Sequence, residues 1–312
     1  MILSTICKKK LKKMRIIDNF NSIFCKKIKK GTIIFGQNIT TGSRISGLTN
    51  NIEKIKKVEV INTQNSEASL IGFGFGLMIA NTNSIYFSKQ LDFIILGLDH
   101  IINTLNSMTL QKISKSFSII TYIVDSGFEG PQSRFHCLSD ISSMSKANCN
   151  YLIFPSDIKY NLRKLNQKSF NIFCLSQKHS KSEINPKPIF IEKNGDYFQY
   201  NKGNKNTLIT MGFAAYEVFN LVQNFKKFKN SDFFAITNPS FKNIEKILRS
   251  VKKTKKVYLF DDGRSKNKSL SELEIKIRNI NNKISIKKFY RNDTKKELYP
   301  NADNYLKKFE IT

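Results

Sequence analysis

Tryptophan is absent from this chain of 312 residues, and histidine, cysteine and proline are scarce, at three, five and six residues. Each scarcity excludes something. The five cysteines, Cys7, Cys25, Cys137, Cys149 and Cys174, are odd in number and no two stand in CxxC spacing. That argues against a disulfide framework or a zinc ribbon, and for a reducing compartment. His100, His136 and His179 lie far apart, so no metal-ligand spacing exists and no metal-binding residue is assigned. With only 14 Gly and 6 Pro, collagen-like and mucin-like chains are excluded. Long hydrophobic runs are also missing. The longest apolar stretch, 70–80, contains Gly72, Gly74 and Gly76 and falls short of the about 20 residues that span a bilayer. The N-terminus, MILSTICKKKLKKM, puts its apolar part before its basic part, the reverse of a secretory signal. Residues 1–14 therefore read as a basic extension, with Met14 a second candidate start, and the expected location is cytoplasmic with no membrane partner.

Acidic residues are few as well, 24 against 52 Lys and Arg, for a formal net charge of +28. Such a balance ordinarily points to nucleic acid. Here the lysines are spread amid many Ile and Asn, as an AT-rich coding bias leaves on solvated faces. The aromatic–basic interleaving of single-strand binders is not found. A non-catalytic, basic nucleic-acid-binding protein is thus the alternative of another class, and no nucleic-acid partner is expected.

What is present is core-forming material: hydrophobic residues make up 40% and aromatics 12%, too much for a disordered chain. Short apolar runs at 32–35, 58–61, 84–87, 117–124 and 151–154 alternate with helix-like segments at 67–80, 91–106 and 160–165. Strands alternating with helices indicate βαβ units and a mostly parallel sheet. The runs are apolar throughout, as in strands covered on both faces. The texture turns polar from about 176 to 206, and a second αβ pattern follows, with strands at 207–211, 232–236 and 256–260 and helices at 214–225 and 244–251. The expected fold is α/β: a doubly wound, mostly parallel sheet over 15–176, a linker at 177–205, and a smaller α/β domain over 206–312.

The richest stretch is NTQNSEASLIGFGFGLMIA, 62–80. Asn65 or Ser66 suits an N-cap and Glu67 falls in the first turn, where a carboxylate complements the dipole. From 68 to 80 there is no charge, which predicts a helix apolar all round and buried. A carboxylate at the mouth of such a helix suits proton exchange. Each of the three glycines costs a helix about 1 kcal/mol relative to Ala, which predicts close approach of another helix or subunit. GFGFG lacks the GxGxxG spacing of a phosphate loop. Phe93 follows at a strand-to-helix junction, and DSGFEGPQSRFHC, with His136, follows an apolar strand. Ligands of α/β sheets bind past such strand ends.

GQNITTGSRISGL, NSEASLIGFGFGLMIA, FSKQLDFIILGLDHIIN and GPQSRFHC followed by YLIFPSD resemble the pyrimidine-binding half of thiamine-diphosphate enzymes, nearest to the beta subunit of 2-oxoacid dehydrogenases such as pyruvate dehydrogenase. Transketolase shares that module, and NTLITMGFAAYEVFNLV with IEKILRSVKKTKKVYLFDDG resembles the carboxy-terminal transketolase domain. The resemblance implies thiamine diphosphate as cofactor. It implies that Glu67 hydrogen-bonds the aminopyrimidine, that Phe93 stacks on it, and that His136, nineteen residues before Pro155, exchanges protons with substrate. Gly36-Gln37-Asn38 stands where the family often has Gly-Glu-Asp, and Cys137-Leu138 where it has Ser-Gln. The family's diphosphate and magnesium motif, Gly-Asp-Gly, has no counterpart, since Gly195-Asp196 continues with Tyr197. The reading that follows is a beta-type subunit acting on 2-oxo acids. An alpha-type subunit would hold the magnesium and diphosphate, in a heterotetramer. The carboxy-terminal half of a split transketolase-like ketol transferase is the alternative.

Overall fold

The computed structural model describes residues 14–108, 115–124, 136, 138–142, 144–145, 147–264 and 268–291. Residues 1–13, most of the loop carrying His136, and Cys137 lie outside the described residues. Twelve strands form two six-stranded sheets. The first holds β1 (Ile33–Gly36), β2 (Glu59–Asn62), β3 (Ser84–Gln90), β4 (Phe117–Ile123), β5 (Asn148–Leu152) and β6 (Phe170–Ser176). Its order is β2-β1-β3-β4-β6-β5, and every pairing is parallel. The second holds β7 (Phe190–Ile191), β8 (Tyr197–Asn201), β9 (Asn206–Met211), β10 (Ser231–Ile236), β11 (Lys256–Arg264) and β12 (Ser285–Arg291). There β9 to β12 pair parallel, while β7 and β8 add an antiparallel edge. Strands β7 and β8 thus carry part of the stretch read as linker into the second sheet.

Alternation along the central strands sends successive side chains to opposite faces. Ile34, Ile85, Phe87, Ile120 and Phe173 pack with helix α1 (Ile16–Lys27) on one face. Phe35, Tyr86, Phe117, Ile119 and Ile172 pack with helix α2 (Glu67–Ile79) on the other. The sheet is doubly covered, which is why its strands read as apolar runs. From β1 the chain crosses to β2 on one side and returns to β3 on the other. The carboxyl ends of β1 and β3 part there, at the switch point where such sheets form a crevice. Gly36 ends β1 with φ 153°, and a Cβ on it would lie 2.5 Å from the Phe87 carbonyl oxygen. The loop beyond turns through Arg44, Ile45 and Ser46, at φ 49°, 51° and 54°. Its left-handed path is held by Asn21 Nδ2, which donates to the Gly47 carbonyl at 3.0 Å.

Helix α2 corrects two expectations. It is not buried all round: Phe73 and Ile79 are 44% and 62% exposed. Nor do all its glycines await a second backbone. A Cβ at Gly72 would meet the His100 ring at 2.9 Å, and one at Gly74 would enter the Phe117 ring. Both absences serve the chain's own core. Only Gly76 faces open space, with nothing within 4 Å. The segment expected as a helix over 91–106 is helical throughout but irregular, a 3-10 stretch, Leu91–Gly97, then a π turn, His100–Thr104, and an α-helical turn, Leu105–Met108. Gly97 packs so closely on Ile71 that a Cβ there would lie 2.5 Å from the Ile71 side chain.

The two sheets share one core. Phe154, just past β5, meets Tyr200 and Tyr216 edge-on at 4.9 and 5.0 Å. Tyr151 N–H donates to the Thr237 carbonyl at 2.7 Å. Asp157, in helix Pro155–Asn161, is wholly buried. It accepts from Phe154 N–H at 3.1 Å and from the Tyr200 hydroxyl. Burial raises its pKa to about 7, against the pull of these donors. Lys178 Nζ and His179 Nε2 reach Glu217 at 2.9 and 3.2 Å. Burial would raise the Glu217 pKa, yet those two partners hold it below the ordinary value.

Two outcomes follow from this packing. Gly74→Leu is expected to destabilise the lone chain itself, by the roughly 1–3 kcal/mol typical of overpacking. Gly76→Ala is expected to stabilise it by up to about 1 kcal/mol. Thermal denaturation of the two variants checks this, and similar melting temperatures would overturn it. The second outcome concerns pH. Asp157 titrates at about 7 when folded and near 3.8 when unfolded, so the folded state holds the extra proton between those values. Its contribution to stability is therefore present below pH 4 and lost as pH rises through 7. The stability difference between wild type and Asp157→Asn should fall across that window, at up to about 1.4 kcal/mol per pH unit. Denaturant titrations at several pH values measure it, and a constant difference contradicts it.

Candidate active site

The crevice between the ends of β1 and β3 is built from short-range contacts. At the end of β2, Asn62 Oδ1 accepts from the N–H groups of Ile39 and Thr40 at 2.9 and 3.2 Å. The loop after β1 is thereby tied to the start of the connection into α2. Ser66 is the N-cap, as the sequence suggests, but its hydroxyl donates to Ser69 Oγ at 2.9 Å and makes no cap bond. Glu67 opens the helix and is 8% exposed. No hydrogen bond reaches its carboxylate among the described residues. Its charge is felt on β3: burial, and then Glu67, push the Tyr86 phenol well above its ordinary pKa. Tyr86 stacks on Phe35 at 5.4 Å, and Phe35 meets Phe73 of α2 edge-on at 5.1 Å. The start of α2 thus packs on an aromatic cluster of Phe35, Tyr86 and Phe73.

Phe93 sits in the tight turn Leu91–Gly97 directly after β3. His136 meets it edge-on, with ring centroids 5.3 Å apart and planes at 82°. Asp92 secures that meeting, since its Oδ1 accepts from Leu138 N–H at 3.0 Å. The residues on either side of Cys137 are so held against the turn. Phe93 and His136, 43 residues apart in sequence, are brought together. Glu67 lies on the neighbouring element, joined to theirs through the contact of Ile71 with Gly97. Sequence reasoning missed Tyr86, Asp92 and Asn62. An aspartate beside the candidate aromatic and an asparagine closing a strand were the available signals.

The donor set suits one half of a cofactor. A carboxylate with no hydrogen bond among the described residues can bond a ring nitrogen, and the half-buried Phe93 of the neighbouring element can face a flat ring. These features fit an aminopyrimidine. Among the described residues no group of three or more His, Cys, Asp or Glu is placed to hold a metal ion. Asp196 is engaged elsewhere, accepting from Ser240 Oγ at 2.8 Å, with its carbonyl taking the N–H groups of Thr237 and Asn238. The Gly195-Asp196 pair is a turn of the domain seam. Among the described residues no helix is long and apolar enough to cross a membrane.

No family model matches the sequence, and no curated protein matches it. A solved structure described as "split gene transketolase, inactive beta4 tetramer" does match. The TM-score is 0.68 at 11% identity, over 96% of this chain and 97% of that one. The fold is transketolase-like. The likeness corrects two expectations. It runs end to end along a split-gene transketolase chain, which overturns the 2-oxoacid dehydrogenase beta subunit as the function and favours the alternative. That protein is a tetramer of four beta chains, which overturns the alpha–beta heterotetramer.

The transketolase-like crevice gives a direct check. Phe93→Leu should remove the ring beside His136, so the His136 ring protons should move in an NMR spectrum while the other two histidines stay put. Unmoved His136 signals would show that the two rings do not meet in solution.

Proposed function

We propose that this chain is the carboxy-terminal half of a split transketolase-like ketol transferase, supplying the pyrimidine side of a thiamine-diphosphate site. The observation that carries the reading is Glu67: a buried glutamate with no hydrogen bond to its carboxylate among the described residues, at the switch-point crevice of a transketolase-like fold. Bound there, thiamine diphosphate would supply the electron sink that ketol transfer requires. The chain's own residues do the rest. Glu67 bonds the ring nitrogen and holds a proton at that atom. Phe93 sets the ring plane. His136, steadied by Phe93 and by Asp92 through Leu138, moves a proton to or from a substrate oxygen. Phe35 and Tyr86, both buried, form the apolar floor under the start of α2. Substrates are a ketose donor and an aldose acceptor.

Among the described residues no cluster of His, Cys, Asp or Glu is placed to hold the metal, so the chain works only with a complementary half of the enzyme. By itself it assembles with copies of itself. The exposed apolar face of α2, with Phe73 and Ile79, and Ile95 and Leu96 of the neighbouring turn, supports that reading. It is an uncharged surface on a chain of net charge +28, where copies can meet without repulsion.

Glu67→Gln is expected to lower ketol transfer by at least about 10²-fold when the chain is mixed with a diphosphate-binding half, with its melting temperature kept. Coupled assay and thermal denaturation read the two. Near-normal turnover in the variant, or tight magnesium-dependent thiamine diphosphate binding by the wild-type chain alone in calorimetry, would sink the reading.

A further inference from the structure

At the seam between the two sheets lies a cavity of about 330 Å³, within the range of about 300–1,000 Å³ common for small-molecule sites. It stands apart from the crevice of Glu67. Helix Pro155–Asn161 and the turn Leu162–Asn166 lead from the end of β5 back to the start of β6. Lys164 and Asn171, both lining the cavity, therefore mark the amino-terminal end of the first sheet. Four cations line it, Arg163, Lys164, Lys193 and Lys242, against one carboxylate, Asp196.

On a chain this basic, a cluster of lysines alone means little. Two of these cations are held in place. The Arg163 guanidinium lies 3.5 Å over the Tyr160 ring centroid, and its Nε donates to the Tyr160 carbonyl at 3.0 Å. The Tyr160 hydroxyl donates in turn to the Lys193 carbonyl at 2.5 Å. Stacking and one bond fix the planar fork and leave its two terminal nitrogens to donate outward, the geometry that recognises phosphate. Lys164 is the second. Its side chain is only 15% exposed, and its ammonium, with three donors, makes one hydrogen bond, to Asn150 Oδ1 at 2.9 Å. Asp196 lies 3.6 Å away, outside hydrogen-bond distance, and turns its other oxygen to Ser240. Burial lowers the Lys164 pKa, more than the carboxylates of Asp196 and Glu192 restore it. Among the described residues the ammonium thus makes one hydrogen bond and one ion pair, which leaves it a donor to spare for a ligand in the cavity.

We propose that this seam cavity binds a phosphate group, free or at the end of a small sugar phosphate, between the Arg163 fork and Lys164. Arg163 and Lys164 follow the first sheet's last helix, while Lys193 and Lys242 flank strands of the second sheet. The bound dianion clamps the two sheets together and stabilises the full chain. The site is independent of the crevice and of the ketol-transfer reading.

The test is a thermal-shift and calorimetric titration of the full chain with inorganic phosphate at constant ionic strength. The expected result is a melting temperature that rises and saturates. Arg163→Gln and Lys164→Gln should each weaken the affinity about tenfold or more, as loss of a charged hydrogen bond does. Lys252→Gln, an exposed lysine of helix Glu245–Thr254, and Glu67→Gln should leave it unchanged. Glucose 6-phosphate in place of phosphate decides the source: tighter binding identifies a sugar phosphate, equal or weaker binding the free ion. A rise that never saturates, or one equal in wild type and in the cavity variants Arg163→Gln and Lys164→Gln, overturns the proposal.

Discussion

The ring of Phe154 is where two sheets become one protein. It is fully buried and touches Tyr200, Tyr216 and Phe219 of the second sheet and its helix at 4.9, 5.0 and 5.9 Å. Such aromatic pairs contribute about 0.5–1.5 kcal/mol each beyond the area they bury. The backbone beside it is equally committed. The Tyr216 hydroxyl donates to the Ile153 carbonyl, and the Phe154 N–H is taken by Asp157. Because the end of β5 is so fixed, the helix and turn that follow have one direction to run, back to β6. The loop before β5, which carries His136, likewise has a fixed far end.

Two buried acids show how different the uses of burial are. Asp157 is surrounded by donors and joins elements that pack against each other. Glu67 is nearly as buried, with no hydrogen bond among the described residues, at the head of a helix that carries no other charge. A protein gains nothing in stability from an unpaired buried carboxylate. The arrangement makes physical sense where something from outside the chain completes the acid's bonding.

The parallel sheet was legible because its strands are covered on both faces and appear as apolar runs. The candidate residues Glu67, Phe93 and His136 come from a family pattern and not from periodicity. Other parts were not. Strand β8, YFQYN, reads as polar linker because its glutamine and asparagine spend their amides inside the fold, Gln199 on Asp232 and Asn201 on Ser231. Strand β12, SIKKFYR, is an edge with lysines, the usual guard of an open edge. Two of the three glycines of α2, Gly72 and Gly74, mark close packing, against side chains and not against a second backbone. Their partners, His100 and Phe117, lie 28 and 43 residues further along the chain, a distance no local pattern reports.

The turn at Arg44, Ile45 and Ser46 carries a consequence for how the molecule breathes. Three consecutive left-handed residues that are not glycine cost about 1–2 kcal/mol each, so this turn cannot hold its own shape. It is held by Asn21 of α1, by the Tyr122 hydroxyl on the Ser46 carbonyl, and by Thr49 on the Arg44 carbonyl. Its amide protons should exchange with solvent together with those of α1, as one cooperative opening unit. The first helix of the described chain and the rim of the crevice thus share one opening equilibrium, and whatever loosens α1 also loosens the wall beside Gly36.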